Sequence, residues 1–384
     1  MQITQISKPS GVSTSAVPSK ALASAAPMKS SAHRPRVVLF VMSALLLTLS
    51  PVAIHSQKAK HAPDYKSIVI FGDSLSDTGN VANLTEAKYG VRIPGPDADY
   101  TDGRFTDGAD TEPAAENYFG VWIEQLAATL PSKPEIKDSL DGGTNYAYGF
   151  ATTGSGTGVF TFGPSDSLSV NVDNIGQQIT DYLATHPKID DKTLFVVWGG
   201  AIDVLYATSD DDVVNAGINQ SLNIQRLIDA GATQFIIPNL PPLGLTPRLN
   251  GSTSTSVPAN EASALYNDVL SGGIAFLRDF NHYRHLQISR LDVFSLFYSI
   301  LAAPSKYSLV DVTDGSQGTA VDPDTYLFWD DLHPTTRGHN ILAVTAAKVL
   351  AQTECHADSA GKGLPGVHAD CAADYAADPV GARR

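Results

Sequence analysis

The stretch "SIVIFGDSLSDTGN", Ser67–Asn80, carries an apolar run into a Gly-Asp-Ser turn and then into a helix-opening segment. Parallel-sheet proteins often turn from strand to helix through Gly, Asp and Ser, because these residues suit caps and tight turns. The stretch therefore points to an α/β fold with its first strand at Ser67–Gly72. It leaves Ser74 undecided between a helix-capping serine and a nucleophile. A nucleophilic serine needs a base and a group that orients the base, so the decision rests on the rest of the chain.

Outward from this stretch, apolar segments alternate with helical patterns. "GGTNYAYGFA", Gly142–Ala151, is expected as a second short strand, and the residues from there to about Val172 as a Gly- and Ser-rich loop. "TLFVVWGG", Thr193–Gly200, is apolar throughout, the pattern of a strand buried on both faces. "QFIIPNLPPLG" and "LQISRLDVF" complete five expected strands. Helices are expected over "ENYFGVWIEQLAATL", "NIGQQITDYLATH", a stretch ending near Gly231, "ANEASALYNDVLSGGIAFLRDFNHY" and "TRGHNILAVTAAKVLAQ". In the first, Phe119, Trp122, Ile123, Leu126 and Leu130 recur at helical spacing as a core stripe. Strand–helix alternation implies a doubly wound α/β sandwich with ligands at the carboxyl ends of the strands. The Gly- and Asp-rich segment from about Thr85 to Pro113 is long enough to be functional or mobile.

The ends differ from the middle. Residues 1–56 hold Lys8, Lys20, Lys29, Arg34 and Arg36 and no acid, and "VVLFVMSALLLTLSPVAI" comes directly after "HRPR". A basic flank before a short apolar core implies a signal peptide, with an uncleaved membrane anchor as the alternative. Export places the protein outside the cytoplasm, secreted or periplasmic. Removing those five basic residues takes the formal charge from -14 to -19, which argues against nucleic acid as a partner. One folded domain is expected over 65–352 and a polar tail over 353–384. The tail holds the chain's two cysteines, Cys355 and Cys371, expected to form one disulfide in an exported protein.

Near the C-terminus, "YLFWDDLHPTTRGH" places Asp330 three residues before His333. A D-x-x-H turn can hold a base and its orienting carboxylate on one segment. Asp331 competes with Asp330, though the three-residue spacing favours Asp330. Asp73 and Asp77 are expected as turn and helix-start residues, His339 as structural, Asp203 as a backbone acceptor beneath the site, and Trp198 as core. Trp329 could shape an acyl pocket. No cofactor or metal motif occurs.

Together, "VIFGDSLSDTGN", "GGTNYAYGFA", "VVWGGAID", "IPNLPPLGLTP" and "FWDDLHPTTRGH" resemble, in order, the blocks of the GDSL-type (SGNH-hydrolase) lipases and esterases. The resemblance implies a three-layer α/β/α sandwich on a five-stranded parallel sheet. It implies Ser74 as nucleophile, His333 as general base and then acid, and Asp330 as its partner, acting on a small-molecule or lipid ester. It also implies an oxyanion site of the Ser74 N–H, a backbone N–H from Gly149 or Phe150 (Gly149 favoured) and an Asn side chain. Many relatives carry paired glycines where this chain has Gly149-Phe150. Ile202 occupies the Asn position, and Asn80, Asn145 and Asn239 are the conceivable substitutes. The alternatives are an acyltransferase, a weakened hydrolase that only binds, and a flavodoxin-like ligand binder with Ser74 and His333 far apart.

Overall fold

Along Ser67–Gly72 the side chains of Ile68 and Ile70 enter one hydrophobic core, while Val69 and Phe71 enter another. That is the two-residue period of a strand covered on both faces. The computed structural model describes residues 64–108, 119–163 and 166–362. In chain order the elements are β1 (Ser67–Gly72), α1 (Asn80–Tyr89), α2 (Trp122–Thr129), β2 (Thr157–Phe162), β3 (Leu168–Asp173), α3 (Ile175–Thr185), β4 (Thr193–Trp198), α4 (Ala201–Tyr206) and α5 (Asp210–Asp229). They continue with β5 (Gln234–Pro238), α6 (Thr253–Phe280), β6 (Gln287–Leu291), α7 (Val293–Ala302), β7 (Asp311–Gly315), β8 (Tyr326–Phe328) and α8 (Thr336–Lys362). The leader over 1–56 and the Cys355–Cys371 pairing lie outside the described residues. The last helix runs beyond the expected boundary at 352, to Lys362.

The central sheet is parallel, in the order β1-β4-β5-β6. One face packs residues of α2, α7 and α8, and the other packs residues of α3, α5 and α6. This is the three-layer sandwich, on four strands rather than five.

The missing strand is the Asn145 segment, and its hydrogen bonds show why. Ile70 donates to Thr144 O (3.1 Å), and Tyr146 donates to Ile70 O (2.8 Å), so the segment starts along β1 as a strand would. Then the Gln178 side chain intrudes: Gly72 N–H donates to Gln178 Oε1, and Gln178 Nε2 donates to Gly72 O, both at 2.9 Å. Asn145 N–H meanwhile donates to Lys137 O. A side-chain amide has taken the Gly72 N–H rung of the ladder; Tyr148 N–H still donates to Gly72 O (3.2 Å), but only an isolated parallel bridge between Ile70 and Asn145 remains.

Two other expectations are corrected. The supposed loop before Val172 contains the antiparallel hairpin β2–β3, paired from Thr157↔Asp173 to Phe162↔Leu168. Its alternation, with Phe162 buried and Val159 exposed, is hidden by Gly- and Ser-rich flanks. Phe162, Val170 and Val172 pack with Val81, Phe105 and Tyr148 as a third small core. The helical stripe also starts later: Trp122, Ile123, Leu126 and Leu130 are fully or nearly fully buried, but Phe119 lies before α2 and is exposed. Among the described residues no helix is long and apolar enough to cross a membrane.

Candidate active site

Ser74 follows β1 at the carboxyl end of the sheet. Backbone bonds from Ser76 and Asp77 to Asp73 O (3.1 Å each) and from Leu75 N–H to the Asp73 carboxylate (3.1 Å) close a tight turn there. Gly72 makes the turn possible, because a Cβ at that position would stand 2.5 Å from Trp198 O of the neighbouring strand. The first N–H groups of α1 are capped by another side chain: Asp77 accepts from Gly79, Asn80 and Val81. Ser74 is thereby free of the capping role, and its hydroxyl lies 2.9 Å from His333 Nε2.

The Asp330–His333 segment folds as a single turn. Asp330 Oδ1 accepts from the Leu332 and His333 N–H groups at 2.8 and 2.6 Å. Its Oδ2 lies 2.7 Å from His333 Nδ1. An ionised carboxylate only accepts, so Nδ1 carries the ring proton, and Nε2 is left to accept from the Ser74 hydroxyl. Burial opposes the charge on Asp330, but His333 and the two N–H donors outweigh it and hold the carboxyl at about 2. Asp331 turns away into a pair with Arg248. The structure thus brings together Ser74, His333 and Asp330, three residues from opposite ends of the described chain, and a binder with Ser74 and His333 far apart is excluded.

Two residues of the long Gly- and Asp-rich segment, which spacing did not single out, complete the site. Tyr100 donates its hydroxyl to Asp330 Oδ2 (2.8 Å), the oxygen that also faces His333. Phe105 lays its ring on His333, centroids 5.0 Å apart. The Phe105 ring also closes on Gly149, where a Cβ would meet it at 2.5 Å, so only glycine fits beneath it. Among sequence signals, only the length of the segment, Thr85 to Pro113, marked it as functional.

The expected oxyanion donors fare differently. Gly149 N–H donates to Asp77 Oδ2 at 2.9 Å, which commits it to holding the turn rather than facing a ligand. The next N–H, that of Phe150, makes no hydrogen bond to any described residue, and neither does that of Ser74. Phe150 holds the left-handed backbone, φ 71°, that a glycine there would adopt without strain. Ile202 lines the apolar pocket beside Ser74, with Trp198, Leu332 and Pro334. The three substitute amides are all occupied elsewhere. Asn80 donates to Asn145 O and Ala147 O, Asn145 to Ser76 O and Thr78, and Asn239 to Asp292.

The other residues picked out in the sequence are engaged within the fold. Asp203 accepts from the Thr153 backbone and hydroxyl. His339 is fully buried, and its Nδ1 accepts from Trp122 N–H. Trp198 is buried and donates to Asn239 O. Trp329, also buried, meets the edge of the Tyr100 ring. Asp73 lines the same pocket as Ser74, and burial pushes its carboxyl up to about 7 against the Leu75 N–H and the charge of His333.

The sequence profile of the family described as "GDSL-like Lipase/Acylhydrolase" matches residues 68–344. An Arabidopsis thaliana GDSL esterase/lipase is 26% identical, over 84% of this chain and 99% of the relative. The phosphatidylcholine-sterol acyltransferase of Aeromonas hydrophila is 25% identical, over 79% of this chain and 95% of its own. The thermolabile hemolysin of Vibrio parahaemolyticus is also 25% identical, over 76% of this chain and 65% of the relative.

Proposed function

We propose that this chain, which belongs to the GDSL-like lipase/acylhydrolase family, is an exported serine hydrolase that cleaves carboxylic esters through an acyl-enzyme on Ser74. The observation that carries the reading is the continuous relay from Ser74 Oγ to His333 Nε2 (2.9 Å) and from His333 Nδ1 to Asp330 Oδ2 (2.7 Å). A serine hydroxyl becomes a useful nucleophile when a neighbouring base takes its proton as the bond forms. In this reading Ser74 Oγ adds to the ester carbonyl carbon while its proton passes to His333 Nε2. The ionised Asp330 steadies the imidazolium. The tetrahedral intermediate then breaks its bond to the alcohol, which leaves with the proton from His333. Water repeats the sequence on the acyl-enzyme and releases the acid.

The backbone N–H groups of Ser74 and Phe150 are the oxyanion donors in this account, with Phe150 taking the place expected for Gly149. Ile202 has no donor to offer, and loss of one donor typically lowers kcat by about 10²–10³-fold. A slow hydrolase results, rather than a protein that only binds, because the Ser74–His333–Asp330 contacts are all within hydrogen-bond range. The basic, acid-free stretch over 1–56 supports the exported part of the reading. An alcohol in place of water would make the same acyl-enzyme an acyltransferase, as the name of the Aeromonas relative indicates for that protein.

Turnover of p-nitrophenyl butyrate by the purified protein, beside Ser74→Ala, tests the reading. The variant is expected to lose at least about 10³-fold in kcat. Equal turnover by the two proteins would overturn the assignment.

A further inference from the structure

The two positions at which this chain departs from its family's pattern meet through a third residue, Tyr206. Ile202 and Tyr206 are four residues apart on α4, so they share one face of the helix. Ile202 is buried against the pocket beside Ser74, whereas Tyr206 is 62% exposed. Phe150 turns its ring toward Tyr206, centroids 5.5 Å apart. From Phe150 the ring contacts run inward through Phe160 (6.2 Å) and Phe105 (6.3 Å) to His333 (5.0 Å).

Phe105 is accounted for by the small core under the hairpin. Phe150 and Phe160 pack only in part against the same core, and Tyr206 does not belong to it. Phe150 and Phe160 are half-buried, and Val159 on the same hairpin is 51% exposed. The parts of Val159, Phe160 and Tyr206 left open to water gain nothing in folding from that exposure, and clustered exposed apolar surface marks a place where something apolar binds. Phe150 moreover holds a left-handed backbone that glycine adopts freely, so its ring is kept in spite of the local strain.

We propose that Phe150, Phe160, Tyr206 and Ile202 form an apolar shelf that carries the hydrocarbon tail of the ester. The preferred substrate is then a medium- or long-chain ester of lipid character rather than an acetyl ester. The proposal rests on Ser74 as the nucleophile, since the shelf is defined by its approach to Ser74 and His333. It also gives the two departures one rationale. An Asn at position 202 would place a polar amide in the path of the tail, and a glycine at 150 would leave the shelf without its central ring.

Each methylene removed from water favours binding by about three- to fourfold at full burial, and less on an open shelf. The test is kcat/KM over two monomeric series: p-nitrophenyl esters from acetate to octanoate, and acetate esters of ethanol to octanol. The first places the tail on the acyl side and the second on the alcohol side. The wild type is expected to favour the octyl over the shortest member at least about tenfold in one series. Tyr206→Ser, and separately Phe150→Gly, which keeps the backbone N–H, are each expected to lower that ratio about 3- to 10-fold. A variant that is merely less stable lowers both esters together and leaves the ratio in place. Preference for the short ester in both series, or ratios unmoved by both variants, overturns the shelf. Full octanoate turnover by Ser74→Ala would instead overturn the nucleophile, which keeps the two failures distinguishable.

Discussion

Tyr100 shows what single residues in this site decide beyond the relay itself. Its hydroxyl reaches Asp330 Oδ2, the same oxygen that faces His333, so the carboxylate is held from two sides. A neutral donor on this oxygen fixes its direction and tempers its basicity, which makes Tyr100 a positioning residue. Tyr100→Phe is expected to lower kcat about 3- to 10-fold with KM unchanged. In an Asp330→Ala background the same change is expected to cost less than about twofold, because the carboxylate it acts on is gone. An equal loss in both backgrounds would reduce Tyr100 to a structural role. The sequence could show Ser74, Asp330 and His333, because a three-residue spacing lets one turn carry both the base and its partner. It could not show Tyr100, whose contact spans 230 positions. Nor could it choose between the N–H groups of Gly149 and Phe150, because the choice is made by Asp77, a carboxylate from another segment.

Helices α2 and α8 are joined by side chains buried between their first turns. His339 Nδ1 accepts from Trp122 N–H (3.1 Å), and Gln125 Nε2 donates to Thr336 O (3.0 Å). Burial, and secondarily the charge of His333, push His339 down to about 3 from its ordinary 6.5. The folded state thus binds a proton on this ring less readily than the unfolded state does. Stability from His339 is fully present above about 6.5 and is lost as the pH falls through that window toward 3. Between pH 6.5 and 5 the loss is expected to be about 2 kcal/mol. His339→Asn keeps an acceptor for Trp122 but cannot titrate. Urea unfolding at pH 7 and pH 5 is therefore expected to show a smaller acid loss in the variant by about that amount. The Asp73 carboxyl, raised to about 7, contributes with the opposite sign, but it is common to both proteins and cancels in the comparison. Elements were legible in the sequence where burial was uniform, as in Thr193–Trp198, which is buried at every position. They are hidden where a side chain takes over a backbone bond, as Gln178 does beside Gly72, or where Gly and Ser mask a two-residue period, as in Thr157–Phe162.

Across the whole described chain, the carboxyl ends of the strands supply the site in turn. Ser74 follows β1, Ala201 and Ile202 follow β4, Leu243 comes from the exit of β5 and Val293 follows β6, all lining one pocket. A doubly wound sheet collects its loops at this edge, which is why strand–helix alternation in the sequence directs a ligand site to it. What alternation could not give was the covering layer. Phe105 packs its ring against His333 and Phe160 of the β2–β3 hairpin packs against Phe105, contacts set by packing between segments far apart in the chain. In the proposed function this assembly activates Ser74. Incubating the protein with a fluorophosphonate and mapping the adduct by mass spectrometry tests it most directly. A single adduct is expected on the Ser74 peptide, absent in Ser74→Ala and strongly slowed in His333→Ala; no adduct, or an adduct that persists in Ser74→Ala, refutes Ser74 as the activated nucleophile.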